Sequence, residues 1–459
     1  MAIWNNILNT LADAISKRIA DSQEVVIRSI KYRKGDHPRQ IRAIPGKADD
    51  NLVVNFTELI TDRSIANVLG DGVKFDLPGE DDSQEQLFIN SLMDANKYQI
   101  LLQRALTFAA DGGTGYFKIL PGGAFGKDGN EYNRIVALNP GHVTMESLPD
   151  DVEIIYKYVI EYWVHDSITG KERGRREVYE FDMEFGERWN ITYYETDTNG
   201  KWVELESEVW DYDFAPIVHW QNLPNPYEPE GRVELSENMT VLQDRYNFIM
   251  SNMSKIIRHF AHPRQYGINL GNSEKLTWGI DEMPTFNGTG IDKPEVVQLN
   301  PVGDLAAANQ FARDLRQAMF DITRTVDLDS LQDKIGSLTN FGLKVLYSDS
   351  IGKTGIKRLL FGEALLELIR RLLVINNFGE TDPGVIVWPD FLPQNEQEEI
   401  EYLEKDLTNG LVSHETASTK RGYDFTSESE KIAQEGEAQR LAQGNIGGLL
   451  LEQFIRGGE

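Results

Sequence analysis

Few residue groupings in this chain have the types and spacing that chemistry requires. Ile351-Gly-Lys-Thr354 offers the Gly-Lys-Thr end of a phosphate-binding loop. The first glycine of such a loop stands five positions before Gly352, where this chain has Tyr347 in a segment that reads as helix. Gly122-Gly-Ala-Phe-Gly-Lys-Asp128 is one residue short in its glycine spacing, and Asp128 replaces the Ser or Thr that would hold magnesium. Asp111-Gly-Gly-Thr-Gly115 precedes a strand-like run, Tyr116–Leu120, instead of following one, so a tight helix-to-strand turn explains it. His259 and His262 have a spacing that could ligate a metal, but Arg258 and Arg264 beside them oppose a cation. Positive charge at a helix C-terminus is the simpler role. No HExxH or GxSxG occurs, and there is no cysteine to supply a thiolate ligand, nucleophile or disulfide. With 73 Asp plus Glu, some pair of carboxylates will always resemble a glycosidase dyad, so that signal is empty without geometry. The residues give no positive sign of an enzyme, and no metal or cofactor is expected.

The elements that would carry any such groups are clearer than the groups. A chain of 459 residues exceeds one ordinary core, and its length suggests roughly three structural units. The formal charge of −27 disfavours tight, non-specific binding to nucleic acid or anionic lipid. Residues 1–20 have no basic leader, and Ile3, Ile7, Leu11, Ile15 and Ile19 form the stripe of an amphipathic helix. Leu359–Ile375, the most apolar stretch, is broken by Glu363, Glu367, Arg370 and Arg371. A soluble chain with no membrane partner is expected.

Helices are expected over 57–69 and 84–110, the latter capped by Asp82 or Ser83. From about 115 to 220, aromatic and β-branched runs predict a twisted antiparallel β region, with a type I′ hairpin at Asn199-Gly200. Three prolines within 222–231 then break regular structure. Leu242, Tyr246, Ile249, Met253, Ile256 and Phe260 form a heptad seam on a helix over 236–262, ended by Pro263 and on the order of 40 Å long. A second seam runs through Leu305, Ala308, Ala312, Leu315, Met319, Ile322 and Val326. The forty residues between the two hold six Gly and four Pro. The pattern fits an ordinary antiparallel helix pair with a decorated loop, and equally a long stalk carrying a small module at its tip. Residues 327–340 read as a polar exposed loop, Phe341–Asn376 as a long helix and Val385–Trp388 as a short strand. The acidic stretch 394–440 reads as two or three helices, with Asn395 and Ser427 as N-caps. The fold class is α+β.

Five short stretches, in this order, resemble the portal proteins of tailed bacteriophages. They are Val53-Val-Asn-Phe-Thr-Glu-Leu-Ile-Thr-Asp62, Gly231-Arg-Val-Glu-Leu235, Trp388-Pro-Asp-Phe-Leu-Pro-Gln-Asn395, Gly410-Leu-Val-Ser-His-Glu-Thr416 and Glu430-Lys-Ile-Ala-Gln-Glu435. Each is weakly specific alone; their order and spacing around the two heptad helices carry the resemblance.

The resemblance implies a portal fold with an α/β wing (1–235, with a wing return at 341–393), paired stem helices (236–262 and 304–326), and a small α/β clip (263–303). A tunnel loop (327–340) and a helical crown (394–459) complete it. It further implies a homo-oligomeric ring, twelve-fold in the virion, at one capsid vertex, assembled in the host bacterial cytoplasm. Double-stranded DNA would pass through its axis. Terminase, then a head-completion or adaptor protein, would dock on it, and major capsid or scaffolding protein would surround it. Asp327, Asp329, Gln332, Asp333, Lys334 and Asn340 would line the channel. Met250, Phe311 and Ala318, on the outer faces of the stalk, would then meet neighbouring copies. The wing's aromatic hairpins match no particular relative. Two alternatives stay open: another phage neck or baseplate component, and a carbohydrate-acting enzyme using carboxylates of the β region.

Overall fold

The computed structural model describes residues 2–42, 49–79, 83–165, 167, 170, 172–182, 188–197, 199–261, 264–268, 295–299, 305–328, 340–390, 392 and 396–435. About half of the protein is helical and a fifth is strand. Two compact units divide it: 1–331 with 347–391, and 332–346 with 392–459.

Helix α1, Ala2–Arg33, is longer than the stripe over 1–20 predicts, because no Gly or Pro interrupts the chain from Ala20 to Arg33. Helix α2 is Phe56–Leu69, capped by the Asn55 side chain. A short strand β1, Lys74–Asp76, precedes α3, Gln84–Ala95, and α4, Tyr98–Gly112. The single helix expected over 84–110 is thus two, with Ser83 capping α3 and Lys97 in the left-handed region (φ 52°) between them. The break frees Asn96, whose side chain donates to the Asn133 carbonyl at 2.9 Å and accepts from the Ile135 amide at 2.8 Å.

The β region forms two antiparallel sheets. Strands β2 (Thr114–Phe125), β3 (Glu131–Ala137) and β9 (Ile217–Gln221) pair in the order β3-β2-β9. Strands β4 (Val143–Ser147), β5 (Ile155–His165), β6 (Glu172–Asp182), β7 (Arg188–Thr196) and β8 (Trp202–Val209) form a meander in chain order. The turn between β7 and β8 is not the two-residue type I′ hairpin. Gly200 is at φ 78° but Asn199 is not at positive φ. The Asp197 carboxylate accepts from the Asn199 and Lys201 amides at 2.8 Å, which holds a longer loop that Gly200 closes. The glycines of 111–115 have packing reasons. Gly113 (φ 78°) passes so close to Gly231 that a Cβ would lie 2.2 Å from its carbonyl oxygen.

Helix α5, Glu237–Ala261, leads to a hairpin of β10 (Arg264–Ile268) and β11 (Glu295–Leu299), and α6, Leu305–Ile322, returns. Helix α8, Ser348–Ile375, covers the three-stranded sheet, and β12, Val385–Val387, pairs with β1; α7, Asn340–Leu346, comes before α8 and belongs to the second unit. The helix expected over 341–376 is therefore split at Tyr347, and α7 has no buried residue. In the second unit α9, Glu396–Thr408, and α10, His414–Lys420, pack together. A further helix over 425–435 is capped by Asp424, which accepts from the Thr426 amide, and not by Ser427; Asn395 lies outside the described residues.

Three cores result. Leu102, Ala105, Ala109, Phe117, Trp220, Phe361, Leu365 and Leu372 join α4 and α8 to the three-stranded sheet. Met145, Tyr158, Tyr179, Trp189 and Ile191 line the inner face of the five-stranded sheet, and Ile217 of β9 packs with them. Phe56, Ile60, Leu235, Met239, Tyr246, Leu315, Met319 and Phe320 form the third core, where α2 wedges between the feet of α5 and α6.

Candidate functional site

The heptad seams are only partly buried. Tyr246, Met253, Leu315 and Met319 are buried, Leu242 and Ile249 are half-buried, and Ile256 and Ile322 are 38% and 48% exposed. The Phe260 side chain lies outside the described residues. Of the outer-face residues, Phe311 is exposed, Ala318 is half-buried, and Met250 instead packs against the third core.

A second stripe on α5 is polar and buried. Gln243, Asn247 and Ser251, four residues apart, meet the extended segment 52–56 at every second residue. The Leu52 amide donates to Ser251 Oγ at 2.9 Å, the Val54 amide to Asn247 Oδ1 at 3.1 Å, and the Phe56 amide to Gln243 Oε1 at 3.2 Å. Gln243 Nε2 also donates to the Val54 carbonyl at 2.7 Å. The periods match because four helical residues rise about 6.0 Å and two strand residues about 6.6 Å. Asn247 Nδ2 donates to His37 Nδ1 at 2.8 Å, while His37 Nε2 bonds the Tyr32 carbonyl at 2.9 Å. Buried amides of a lone extended segment need partners, and α5 supplies them from side chains.

Glu234, three residues before α5, is fully buried between two lysines of α8. Lys353 donates to its Oε1, and Lys357 donates to its Oε2 at 2.5 Å. Lys353 also donates to the Thr323 carbonyl at 2.6 Å, and Lys357 to Ser64 Oγ at 2.9 Å. Burial pushes the Glu234 carboxyl up, but the two ammonium groups more than reverse this and hold it well below the usual carboxylate range. Burial lowers the Lys357 pKa, and the Glu234 charge only partly offsets that. One cluster thus ties together the entry to α5, the end of α6, α2 and α8. Lys353 of the Gly-Lys-Thr segment is spent here, inside a continuous helix, and cradles no phosphate.

The end of α6 is equally determined. The seam predicts helix to Val326, but the helix stops at Ile322. Arg324 takes φ 52°, its amide donates to the Asp321 carbonyl at 3.1 Å, and the Thr325 amide donates to the Phe320 carbonyl at 2.9 Å. That bond pattern is a Schellman cap, here with arginine where glycine is usual. Arg63 of α2 then donates to the Val326 carbonyl at 2.9 Å, and Arg316 of α6 bonds Asp327 at 2.7 Å while lying over the Phe56 and Phe320 rings. Asp327 is therefore an anchor of the strut 323–328. Asn340 is the first, half-buried residue of α7. Asp329, Gln332, Asp333 and Lys334 lie outside the described residues, as does His262.

Glu234, Lys357, Arg63, Arg316 and the Gln243–Asn247–Ser251 stripe escaped sequence reasoning. Only the stripe and the lysine pair had a local signal, polar residues at i, i+4 on otherwise apolar helices. Among the described residues no cluster of His, Asp or Glu could hold a metal ion, and no helix is long and apolar enough to cross a membrane.

No curated protein matches the chain. The model of the family described as "Phage portal protein, SPP1 Gp6-like" matches residues 22–440. That span contains both heptad helices, the buried ion cluster and all five of the resembling stretches. The chain belongs to this family of phage portal proteins, a structural and non-enzymatic family of the virion.

Proposed function

We propose that copies of this chain close into a ring, twelve-fold in the virion, at one capsid vertex, and that DNA enters and leaves through its axis. In this reading 1–235 and 341–393 form the wing, α5 and α6 the stem, 263–303 the clip, 327–340 the tunnel loop and 394–459 the crown. Terminase docks during packaging and supplies the ATP hydrolysis; a head-completion or adaptor protein replaces it, and capsid or scaffolding protein surrounds the wing. The observation that carries the reading is the clamped foot of the stem. The buried Glu234 cluster and the Arg63 and Arg316 contacts hold 323–328 as a rigid strut, so a polar loop launched from it at 329 has a fixed base.

Electrostatics support a conduit over a DNA clamp. Twelve copies carry 12 × −27, roughly −324 formal charges, and a channel that must let DNA slide gains from net repulsion. Lys334 is the one cation among the charged residues of 327–340, and a ring of such lysines would touch phosphates briefly, at about one counterion-releasing contact per engaged lysine. Native mass measurement of the purified oligomer should give a closed ring; a monodisperse monomer at micromolar concentration overturns the assembly. Lys334→Glu, or shortening 329–336, should leave rings intact but reduce packaged DNA. Normal filling with both variants would move the DNA-facing role elsewhere.

A further inference from the structure

Charge is unevenly spread along the chain. Residues 28–42 hold Arg28, Lys31, Arg33, Lys34, Arg39 and Arg42 against the single carboxylate of Asp36, a sum of +5 that leaves −32 for the rest of the chain. Only Arg33 is well engaged within its own copy, 3.5 Å from both Asp62 and Asp111. Arg28 reaches Glu237 at 4.0 Å, and Arg39 reaches Asp49 at 3.6 Å with its own side chain 73% exposed. Lys31, Lys34 and Arg42 are exposed and make no ion pair among the described residues.

The backbone beneath these cations is held in place. The described residues between α1 and α2 are neither helix nor strand, yet the Asn51 side chain accepts from the Ile41 amide at 2.9 Å and donates to its carbonyl at 2.8 Å. Asn55 donates to the Arg33 carbonyl at 2.9 Å, and Arg258 of α5 bonds Asp50 at 2.6 Å. Charges presented on a fixed base lose little freedom on binding. Lys31 and Arg33 stand in the last turn of α1, where they complement the negative end of the helix. Arg39 and Arg42 lie well beyond it and have no such role. Duplex DNA is a poor occupant, because Asp36 and Asp49 stand among the cations and the −27 charge of the chain repels phosphates. A second copy fits better. Each copy brings both the basic surface and an acidic excess, and a head-to-tail contact between two different patches is what closes a ring.

We propose that the basic surface of residues 28–42 is one half of the contact between neighbouring copies and docks on a carboxylate-rich surface of the next copy. The assignment rests on the ring reading and adds to it one of the surfaces where copies meet. It also makes ring assembly sensitive to salt, because exposed ion pairs are screened as ionic strength rises.

The test uses the full-length oligomer and a water-soluble carbodiimide, which joins a lysine amine to a carboxylate as an amide while the reagent leaves as its urea. Peptides carrying Lys31 or Lys34 should be linked to Asp or Glu peptides in the covalent dimer band and not in the monomer band. Lys31→Gln with Lys34→Gln and Arg42→Gln removes three exposed charges that have no ion pair among the described residues, so the fold should stay intact. This variant should raise the protein concentration needed for half assembly about tenfold at low salt, and should match the unaltered chain at high salt. Lys31→Arg with Lys34→Arg keeps the charge, so it should lose the crosslinks and still assemble normally. Linked peptides confined to the monomer band, or unchanged assembly of the glutamine variant, overturns the proposal and leaves the ring standing. Duplex DNA that shields both lysines from the reagent would hand the surface to nucleic acid and overturns it too. An unaltered chain that forms no ring overturns the ring reading and this proposal with it.

Discussion

The foot of the α5–α6 pair and the outer face of the five-stranded sheet are both rich in charge, but they use it oppositely. At the foot, Glu234, Lys353 and Lys357 are almost wholly out of water and each makes at least two bonds. On the sheet face, Lys157–Glu180 and Arg176–Glu161 are partly exposed ion pairs between neighbouring strands. A buried group that loses its partner keeps its full desolvation cost, whereas an exposed one turns to water. The foot should therefore behave as one cooperative joint, and the sheet face as a set of replaceable contacts.

The largest expected effect is at Glu234. Glu234→Gln leaves two buried ammonium groups without a counter-charge and should cost about 3–5 kcal/mol in urea unfolding. Replacing Glu234, Lys353 and Lys357 together by methionine should recover most of that loss. A single-variant cost below about 1 kcal/mol would erase the contrast with the sheet face.

Asn247→Leu should follow at about 2 kcal/mol, since it strands the Val54 amide and part of Gln243 and His37. Hydrogen exchange should show segment 52–56 opening before the rest of α2.

Asp111 tests an intermediate case, buried but incompletely paired. Its Oδ1 has no hydrogen-bond partner among the described residues, and Arg33 stands 3.5 Å from Oδ2. Burial raises its pKa from 3.8 to about 6 despite that arginine. The folded protein thus binds a proton that the unfolded chain releases, and this contribution to stability is lost as pH rises from about 4 to about 6. Asp111→Asn should flatten that slope and stabilise the protein at pH 7 by about 1–2 kcal/mol. An unchanged pH profile would show that Asp111 is already solvated or paired.

The smallest effect belongs to the sheet face. Lys157→Ala should change stability by about 0–1 kcal/mol, less at high salt. A salt-insensitive loss above that range would put the face in the same class as the foot.

Much of the framework was readable residue by residue. The seam from Leu242 to Phe260 marked α5 to within a residue at each end, and Ser83 marked the start of α3. Errors arose where a local pattern continued past a break. The apolar period runs through Asn96-Lys97, Tyr347 and Thr323-Arg324, yet the helix breaks at each place. At Arg324 the turn coincides with the Lys353 bond to the Thr323 carbonyl and the Arg63 bond to the Val326 carbonyl.

The sequence by itself determined the absence of cysteine chemistry, the acidic balance, the two heptad helices and the β region between helical segments. These rest on composition and on periods of two and 3.6 residues, which neighbouring side chains express within a few turns. It also carried the family resemblance that the match over 22–440 bears out. Tertiary structure alone decided that Glu234 meets lysines more than a hundred positions away, that Lys353 is a structural cation and that Asp327 is anchored. Such contacts depend on which elements become neighbours in space, and no local period encodes the partner of a buried charge.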